Sequence, residues 1–154
     1  MSYKWNTRTE LLLGAERMEY LSHCHVLVVG LGGVGAYAAE QICRAGIGHM
    51  TIVDADTVND SNINRQLPAL HSTLGMQKAE VVGQRLLDIN PRLKLTILNE
   101  FLRDERTEEV LSAQKYDFIV DAIDSLSPKA YLLYHAYRRE IPIVSSMGAG
   151  AKID

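Results

Sequence analysis

The sequence has no long hydrophobic run, few aromatic residues and almost no cysteine. Its 154 residues include one Trp, two Phe and two Cys, and aromatic residues make up 6% of the chain. The apolar runs are far shorter than the roughly 20 residues of a membrane-spanning helix, and no signal-peptide pattern opens the chain. Two cysteines, Cys24 and Cys43, are too few for a disulfide framework and fit a reducing compartment. We therefore expect a cytoplasmic, globular chain.

The chain also lacks an excess of charge of either sign. It has 16 basic and 19 acidic residues, for a net charge of −3. No overall basic field indicates nucleic-acid binding, although a local basic patch stays compatible with this balance. The hydrophobic fraction of 47% is that of an ordinary globular protein and excludes disorder.

Short apolar runs alternate with stretches of helical spacing. The runs at 25–29, 50–53, 93–98, 117–120 and 141–144 are those of parallel strands buried on both faces. Helical spacing marks 34–42, 79–87 and the stretch from Leu126, and a further helix from Arg8 to about Leu21 precedes the first strand. This order predicts an α/β fold, a doubly wound Rossmann-like, mostly parallel sheet with an N-terminal helix, truncated after about the fifth strand.

A glycine-rich turn follows the first predicted strand. Residues 30–35, Gly-Leu-Gly-Gly-Val-Gly, form a G-x-G-x-x-G turn between a strand and a helix, where a phosphate can approach the backbone and the helix N-terminus. Asp54 ends the next strand, 19 residues after Gly35, at the position of a carboxylate that accepts ribose hydroxyls. Together these features predict an adenine-nucleotide site, for which NAD is the first candidate and a tight turn without ligand is the alternative.

Two cations near this turn favour a triphosphate over NAD. Arg65 lies in the stretch 61–66, Ser-Asn-Ile-Asn-Arg-Gln, and Lys78 opens the following helix. Such cations help most where negative charge builds on phosphorus and on departing pyrophosphate. As isolated charges they would read as a solvated surface pair. No G-x-x-x-x-G-K-[ST] loop occurs, so any ATP is held differently from that of a P-loop enzyme.

A carboxylate after the fourth predicted strand is a candidate Mg²⁺ ligand. Residues 121–124, Asp-Ala-Ile-Asp, close that strand, and the carboxyl ends of strands one and four flank the point where open α/β sheets bind ligands. Mg²⁺ takes hard oxygen ligands, often one or two carboxylates with phosphate and water. Asp124 fits that role, and a helix N-cap is its structural alternative.

These motifs, in this order and spacing, resemble the ThiF/MoeB/HesA superfamily of ubiquitin-activating-enzyme-like proteins. The resemblance includes 54–56 (Asp-Ala-Asp), 61–66 and 75–78 (Gly-Met-Gln-Lys), and runs from about Arg8 to the last residue. It implies binding of MgATP and adenylation of a carboxylate with release of pyrophosphate, usually by a homodimer. It also implies one ATP-binding domain over 1–154 that lacks the family's C-terminal segment.

The resemblance assigns roles to individual residues. Arg65, Lys78 and, lent by the partner subunit, Arg8 would be catalytic, and Asp124 would hold Mg²⁺. The nucleotide-binding set that it implies is Gly30, Gly32, Gly33, Gly35, Asp54, Asp56, Asn62, Arg65, Gln66 and Lys78.

Within the superfamily, residues 62–66, 121–125, 128–130 and 148–154 are most similar to the branch that dehydrates threonylcarbamoyladenosine in tRNA. This similarity implies a tRNA substrate, for which Arg44, Lys129, Arg138 and Arg139 are candidate basic contacts. Two alternatives stay open: adenylation of the C-terminal glycine of a ubiquitin-like sulfur-carrier protein, and a non-catalytic nucleotide-binding or dimerisation module.

Overall fold

Five parallel strands form one sheet in the order β3-β2-β1-β4-β5. The computed structural model describes residues 4–148. The strands are β1 (His25–Val29), β2 (His49–Val53), β3 (Lys94–Leu98), β4 (Phe118–Asp121) and β5 (Ile143–Ser145). All four strand pairs are parallel, so the predicted doubly wound sheet is confirmed. The closing stretch 149–154 lies outside the described residues.

Six α-helices in the described residues connect or precede these strands. They are α1 (Thr7–Leu13), α2 (Ala15–His23), α3 (Gly35–Ala45), α4 (Lys78–Ile89), α5 (Asp104–Ala113) and α6 (Leu126–Arg138). The predicted helical stretch from Arg8 to about Leu21 is confirmed, but the prediction of one continuous helix is wrong, because Gly14 adopts a φ of 83° and separates α1 from α2. No helix within 4–148 is long and apolar enough to cross a membrane.

The two faces of the sheet carry separate cores. Val26 and Val28 of β1 point to the layer that contains α3 and α4, whereas Leu27 and Val29 point to the layer of α5 and α6. This alternation explains the continuous apolar sequence of β1, since every side chain of that strand is buried. Strands β2 and β3 lie on one side of β1, and strands β4 and β5 lie on the other. The order of the strands therefore reverses between β1 and β4, which leaves a crevice at their carboxyl ends.

Two neighbouring histidines lie at the amino ends of β1 and β2, opposite the crevice. His25 and His49 are paired in register, with ring centroids 5.5 Å apart, and His25 Nε2 lies 2.8 Å from Thr51 Oγ1. Burial and then the charge of His49 lower the pKa of His25. Burial, followed by Lys94 and His23, lowers the pKa of His49. The folded protein therefore favours the uncharged form of both rings.

We expect the protein to lose stability as the pH falls below about 6.5, the pKa of an unfolded-state histidine. The unfolded chain binds protons there that the folded chain resists, at a cost of at most about 1.4 kcal/mol per pH unit for each ring. Urea unfolding at pH 7.5 and 5.5 measures this loss. His25→Gln, which keeps a polar group near Thr51, should reduce it, whereas His71→Gln at an exposed position should not. Equal losses in both variants would contradict the assignment.

Candidate functional site

A cleft of about 690 Å³ opens at the carboxyl ends of the strands, across the crevice between β1 and β4. It is bordered by residues at the carboxyl ends of all five strands and by the loop between β2 and α4. Of the residues predicted for the site, its lining includes Gly30, Gly32, Gly33, Asp54, Asp56, Arg65, Gln66, Lys78 and Asp124. The fold thus brings nine of these residues, distant in sequence, to one cleft.

The glycine turn is packed closely against the end of β4. Gly30 has a φ of 90°, and a Cβ there would lie 2.6 Å from the carbonyl oxygen of Ala122. α3 begins at Gly35, and no side chain caps its N-terminus. Its first N–H groups and its dipole therefore stay available to an anion in the cleft.

Asp54 is held in place by two backbone N–H groups. Leu31 donates to Oδ2 at 2.7 Å, and Asp56 donates to Oδ1 at 2.8 Å. Burial raises the pKa of the Asp54 carboxyl, against the opposing effect of these two hydrogen bonds. Each oxygen keeps one lone pair, so the carboxylate can still accept two hydroxyl groups.

Lys78 is a buried cation at the floor of the cleft. It is the first residue of α4 and is 5% exposed, and its Nζ lies 3.7 Å from Oδ2 of the exposed Asp56. The backbone N–H of Lys78 also donates to the Asp56 carbonyl oxygen. Within 4–148 this buried ammonium group has one ion-pair partner, Asp56, and a weaker electrostatic interaction with Asp54, so it is suited to an incoming anion.

Arg65 and Gln66 border the cleft from the loop between β2 and α4. Arg65 is exposed, and its guanidinium donates to the Ser61 carbonyl oxygen and to Asn64 Oδ1 at 3.1 and 2.8 Å. Gln66 lies against Gly32, and its Oε1 is buried without a hydrogen-bond partner among the described residues. The two side chains present a cation and an unused acceptor beside the glycine turn.

Three predicted site residues lie outside the cleft lining. Gly35 is buried beneath the turn, and Asn62 is buried in the loop, where its Oδ1 accepts the Asn59 N–H at 3.0 Å. Arg8 is exposed on α1. Gly35 and Asn62 therefore shape the backbone around the site, and Arg8 faces solvent in the single chain.

Asp124 lies on the side of the cleft that is opposite Asp54, at the end of the short loop between β4 and α6. It is exposed and forms no hydrogen bond or ion pair within 4–148. No group of three His, Cys, Asp or Glu side chains in that part of the chain could hold a cation by itself. One free carboxylate at the border of the cleft fits a Mg²⁺ ion that would take its other ligands from a nucleotide and water.

The sequence did not indicate the segment that follows β3. Residues 100–103, Glu-Phe-Leu-Arg, line the cleft beyond Asp54, and the Arg103 guanidinium carbon lies 5.5 Å from the centroid of the Phe101 ring. Because β3 neighbours β2 in the sheet, this segment stands where the base of a nucleotide would extend past Asp54. No motif marks it, so only the topology could reveal it.

Lys129 is not the surface cation that the sequence suggested. It is 7% exposed, and its Nζ donates to Asp121 Oδ2 at 2.7 Å. Arg44 pairs with Glu40, and Arg139 donates to Ser112. Three of the four candidate basic contacts are thus engaged within the fold, and Lys129 as a nucleic-acid contact is wrong.

Similarity to known proteins extends over almost the whole chain. The model of the ThiF family matches residues 3–153, almost the whole chain. The chain belongs to the ThiF family. All of it aligns with the tRNA threonylcarbamoyladenosine dehydratase of Escherichia coli K12 at 40% identity, covering 58% of that protein.

A solved structure of this dehydratase and one further relative of this ThiF-family chain add to the comparison. The crystal structure of the E. coli tRNA N6-threonylcarbamoyladenosine dehydratase in complex with ATP superposes with a TM-score of 0.93, at 40% identity, over 99% of this chain and 64% of that one. The molybdopterin-synthase adenylyltransferase of Salmonella typhimurium is 33% identical over 90% of this chain and 54% of its own length. The chain thus spans between half and two thirds of the length of these relatives.

Proposed function

We propose that this chain binds MgATP and adenylates a carboxylate, and that the carboxylate is that of threonylcarbamoyladenosine in tRNA. The proposal rests on one observation. Arg65, Lys78 and Asp124 line the same cleft as the glycine turn. A dehydrogenase has no need of three such groups beside a dinucleotide. A triphosphate, in contrast, presents charge to each of them.

In this proposal the nucleotide lies across the carboxyl ends of the sheet. Its base rests at Phe101 and Arg103, its ribose hydroxyls bind Asp54, and its phosphates lie at the glycine turn and the N-terminus of α3. Lys78 and Arg65 stabilise the charge that develops on the α-phosphate and on pyrophosphate. A Mg²⁺ ion held by Asp124 would neutralise phosphate charge at the opposite side.

The acceptor is proposed from similarity to the dehydratases, which exceeds that to the adenylyltransferases. The 40% identity to the E. coli dehydratase compares with 33% for the Salmonella enzyme. A sulfur-carrier acceptor is the second candidate, and the cysteines give it no support. Both are buried, and burial raises the pKa of Cys43 to about 11, which suppresses the nucleophilic thiolate. Two free cysteines also agree with a cytoplasmic location.

The nucleotide preference tests the proposed chemistry. At 100 times its dissociation constant, a ligand adds about 2.7 kcal/mol to the free energy of unfolding. We expect MgATP to raise the thermal midpoint accordingly and NAD to leave it unchanged. Equal protection by NAD would overturn the adenylation proposal, and protection by ATP without carboxylate-dependent pyrophosphate exchange would favour the non-catalytic module.

The acceptor is tested separately by incubation with ATP and either modified tRNA or a ubiquitin-like carrier protein. Mass spectrometry of the tRNA nucleosides should detect the dehydrated, cyclised product. An adenylate on the carrier, without a change in the tRNA, would establish the second candidate instead. Lending of Arg8 to a partner subunit stays a prediction, and a monomeric mass in the presence of ATP would contradict it.

A further inference from the structure

A buried ion pair lies behind the wall of the cleft formed by the end of β4. Asp121 is fully buried, and Lys129, in the first turn of α6, is 7% exposed. The Nζ of Lys129 donates to Asp121 Oδ2 at 2.7 Å, to Ser145 Oγ at 3.2 Å and to the Ser146 carbonyl oxygen at 2.6 Å. All three ammonium protons thus have acceptors, contributed by β4 and by the end of β5.

Both oxygens of the Asp121 carboxylate also accept hydrogen bonds. Its Oδ2 also accepts the Ser145 hydroxyl at 2.6 Å, and its Oδ1 accepts the backbone N–H of Ile123 at 3.0 Å. Replacing a buried ion pair by apolar groups is often neutral for stability, so such a pair is weak evidence of a stabilising role. This pair joins β4, β5 and α6 beside the cleft, so it can fix the positions of these elements relative to one another.

The hydrogen bond to Ile123 connects this pair to the glycine turn. It fixes the peptide between Ala122 and Ile123, and the Ala122 carbonyl is the group against which Gly30 packs. A Cβ on Gly35 would also meet the Ala122 side chain at 3.1 Å. Movement of the Ala122 backbone would therefore displace both ends of the phosphate-binding turn.

We propose that the Asp121–Lys129 pair is a positioning element for phosphate binding, which holds Ala122 against the glycine turn and Ser146 at the far wall of the cleft. The pair does not touch the nucleotide. Loss of the pair should weaken binding of the phosphates, which lie beside Ala122. Binding of the base and ribose, which lie at Asp54 and Phe101, should not change. This inference rests on the proposed nucleotide site and assigns residues that act on it from behind.

The test compares ATP and adenosine as ligands of the whole chain. In Asp121→Asn/Lys129→Met both charges are removed together, so no buried charge is left unpaired. Calorimetric or NMR titration should show ATP affinity reduced by about tenfold or more, with adenosine affinity within about twofold of the original chain. A general loosening of the fold would weaken both ligands equally, and that outcome would overturn the proposal, as would unchanged ATP affinity.

A matched control is available on the other face of the sheet. Glu40 of α3 is largely buried and pairs with Arg85 of α4, and neither residue lines the cleft. Glu40→Gln/Arg85→Met likewise removes both charges of an ion pair between two elements, although here the arginine is half exposed and Glu40 also pairs with Arg44. This variant should bind both ligands as the original chain does. An equal loss of ATP affinity in this control would overturn the positioning role.

A milder variant covers the case in which the double variant fails to fold. Ser145→Ala removes one donor to Asp121 and one acceptor of Lys129 while it keeps the charges paired, and it should weaken ATP by about threefold with adenosine unchanged. Unchanged ATP affinity there would refute the inference. Failure of the original chain to bind ATP at all would instead refute the proposed function, which separates the two.

Discussion

Lys78→Met is expected to reduce carboxylate-dependent ATP–pyrophosphate exchange by about 10²- to 10³-fold, the range found when one preorganised charge-stabilising donor is removed. The methionine side chain has nearly the length of lysine and fills the same buried space. The substitution therefore removes the positive charge with little change in packing. The effect should be largest on turnover, because the charge on phosphorus and pyrophosphate grows as the reaction proceeds.

The environment of Lys78 makes this cation unusually effective. With 5% of its surface exposed, its field is screened less by water than that of a surface lysine. Its neighbour Asp56 has a side chain that is 56% exposed and lies 3.7 Å away, so water can hydrate that carboxylate when a phosphate takes the ammonium group. The exchange of partners thus leaves no buried charge without a counterion.

The stability of the variant separates this role from a structural one. Because Asp56 is exposed, the loss of its partner should change the free energy of unfolding by no more than about 1 kcal/mol. Lys115→Met, on the loop before β4, is the matched control and should exchange pyrophosphate as the original chain does. Exchange by Lys78→Met within threefold of the control would remove Lys78 from the catalytic set, and loss of folding would show that its role is structural.

Strands were easier to predict from the sequence than the helices around them. The bounds of β1 agree with the prediction at both ends, because its continuous apolar run has no exposed position. The break at Gly14 was missed because Leu11 and Leu12, which extend the apparent apolar pattern, are about 80% exposed. The sequence does not predict α5, because only Thr107, Val110 and Leu111 of its ten residues are buried and they leave too weak an apolar pattern.

The residues of the candidate site also differ in how well the sequence predicts them. Gly30, Asp54 and Lys78 could be predicted because each stands at a fixed position beside a strand or helix end. Phe101 carries no motif, and its place in the cleft follows from β3 lying next to β2. The burial of Lys129 depends on β5 returning beside β4, a long-range contact that the local sequence of α6 does not record.

The second large effect is expected for Gly35→Ala, which should cost about 3 kcal/mol or more and leave little folded protein in moderate urea. A Cβ on Gly35 would overlap the carbonyl oxygen of Gly30 and also crowd Ala122. The first obstacle is backbone at the end of β1, and the second is a Cβ fixed to the backbone after β4, so no side-chain rotation relieves them. α3 would have to move away from β1 and expose part of the core that Ala36 and Ala39 form with Val28.

Gly33→Ala is the matched control for stability, since it adds the same methyl group to the same turn. Gly33 is exposed, and the atom nearest to its added Cβ is Arg65 Cγ at 3.8 Å, an ordinary contact distance. Its free energy of unfolding, measured by urea denaturation, should lie within about 1 kcal/mol of that of the original chain. Equal midpoints for the two variants would contradict the close contact of α3 with the Gly30 carbonyl. A large difference would show that Gly35 is required for the close packing of α3 against the glycine turn, at the end of the helix that borders the cleft.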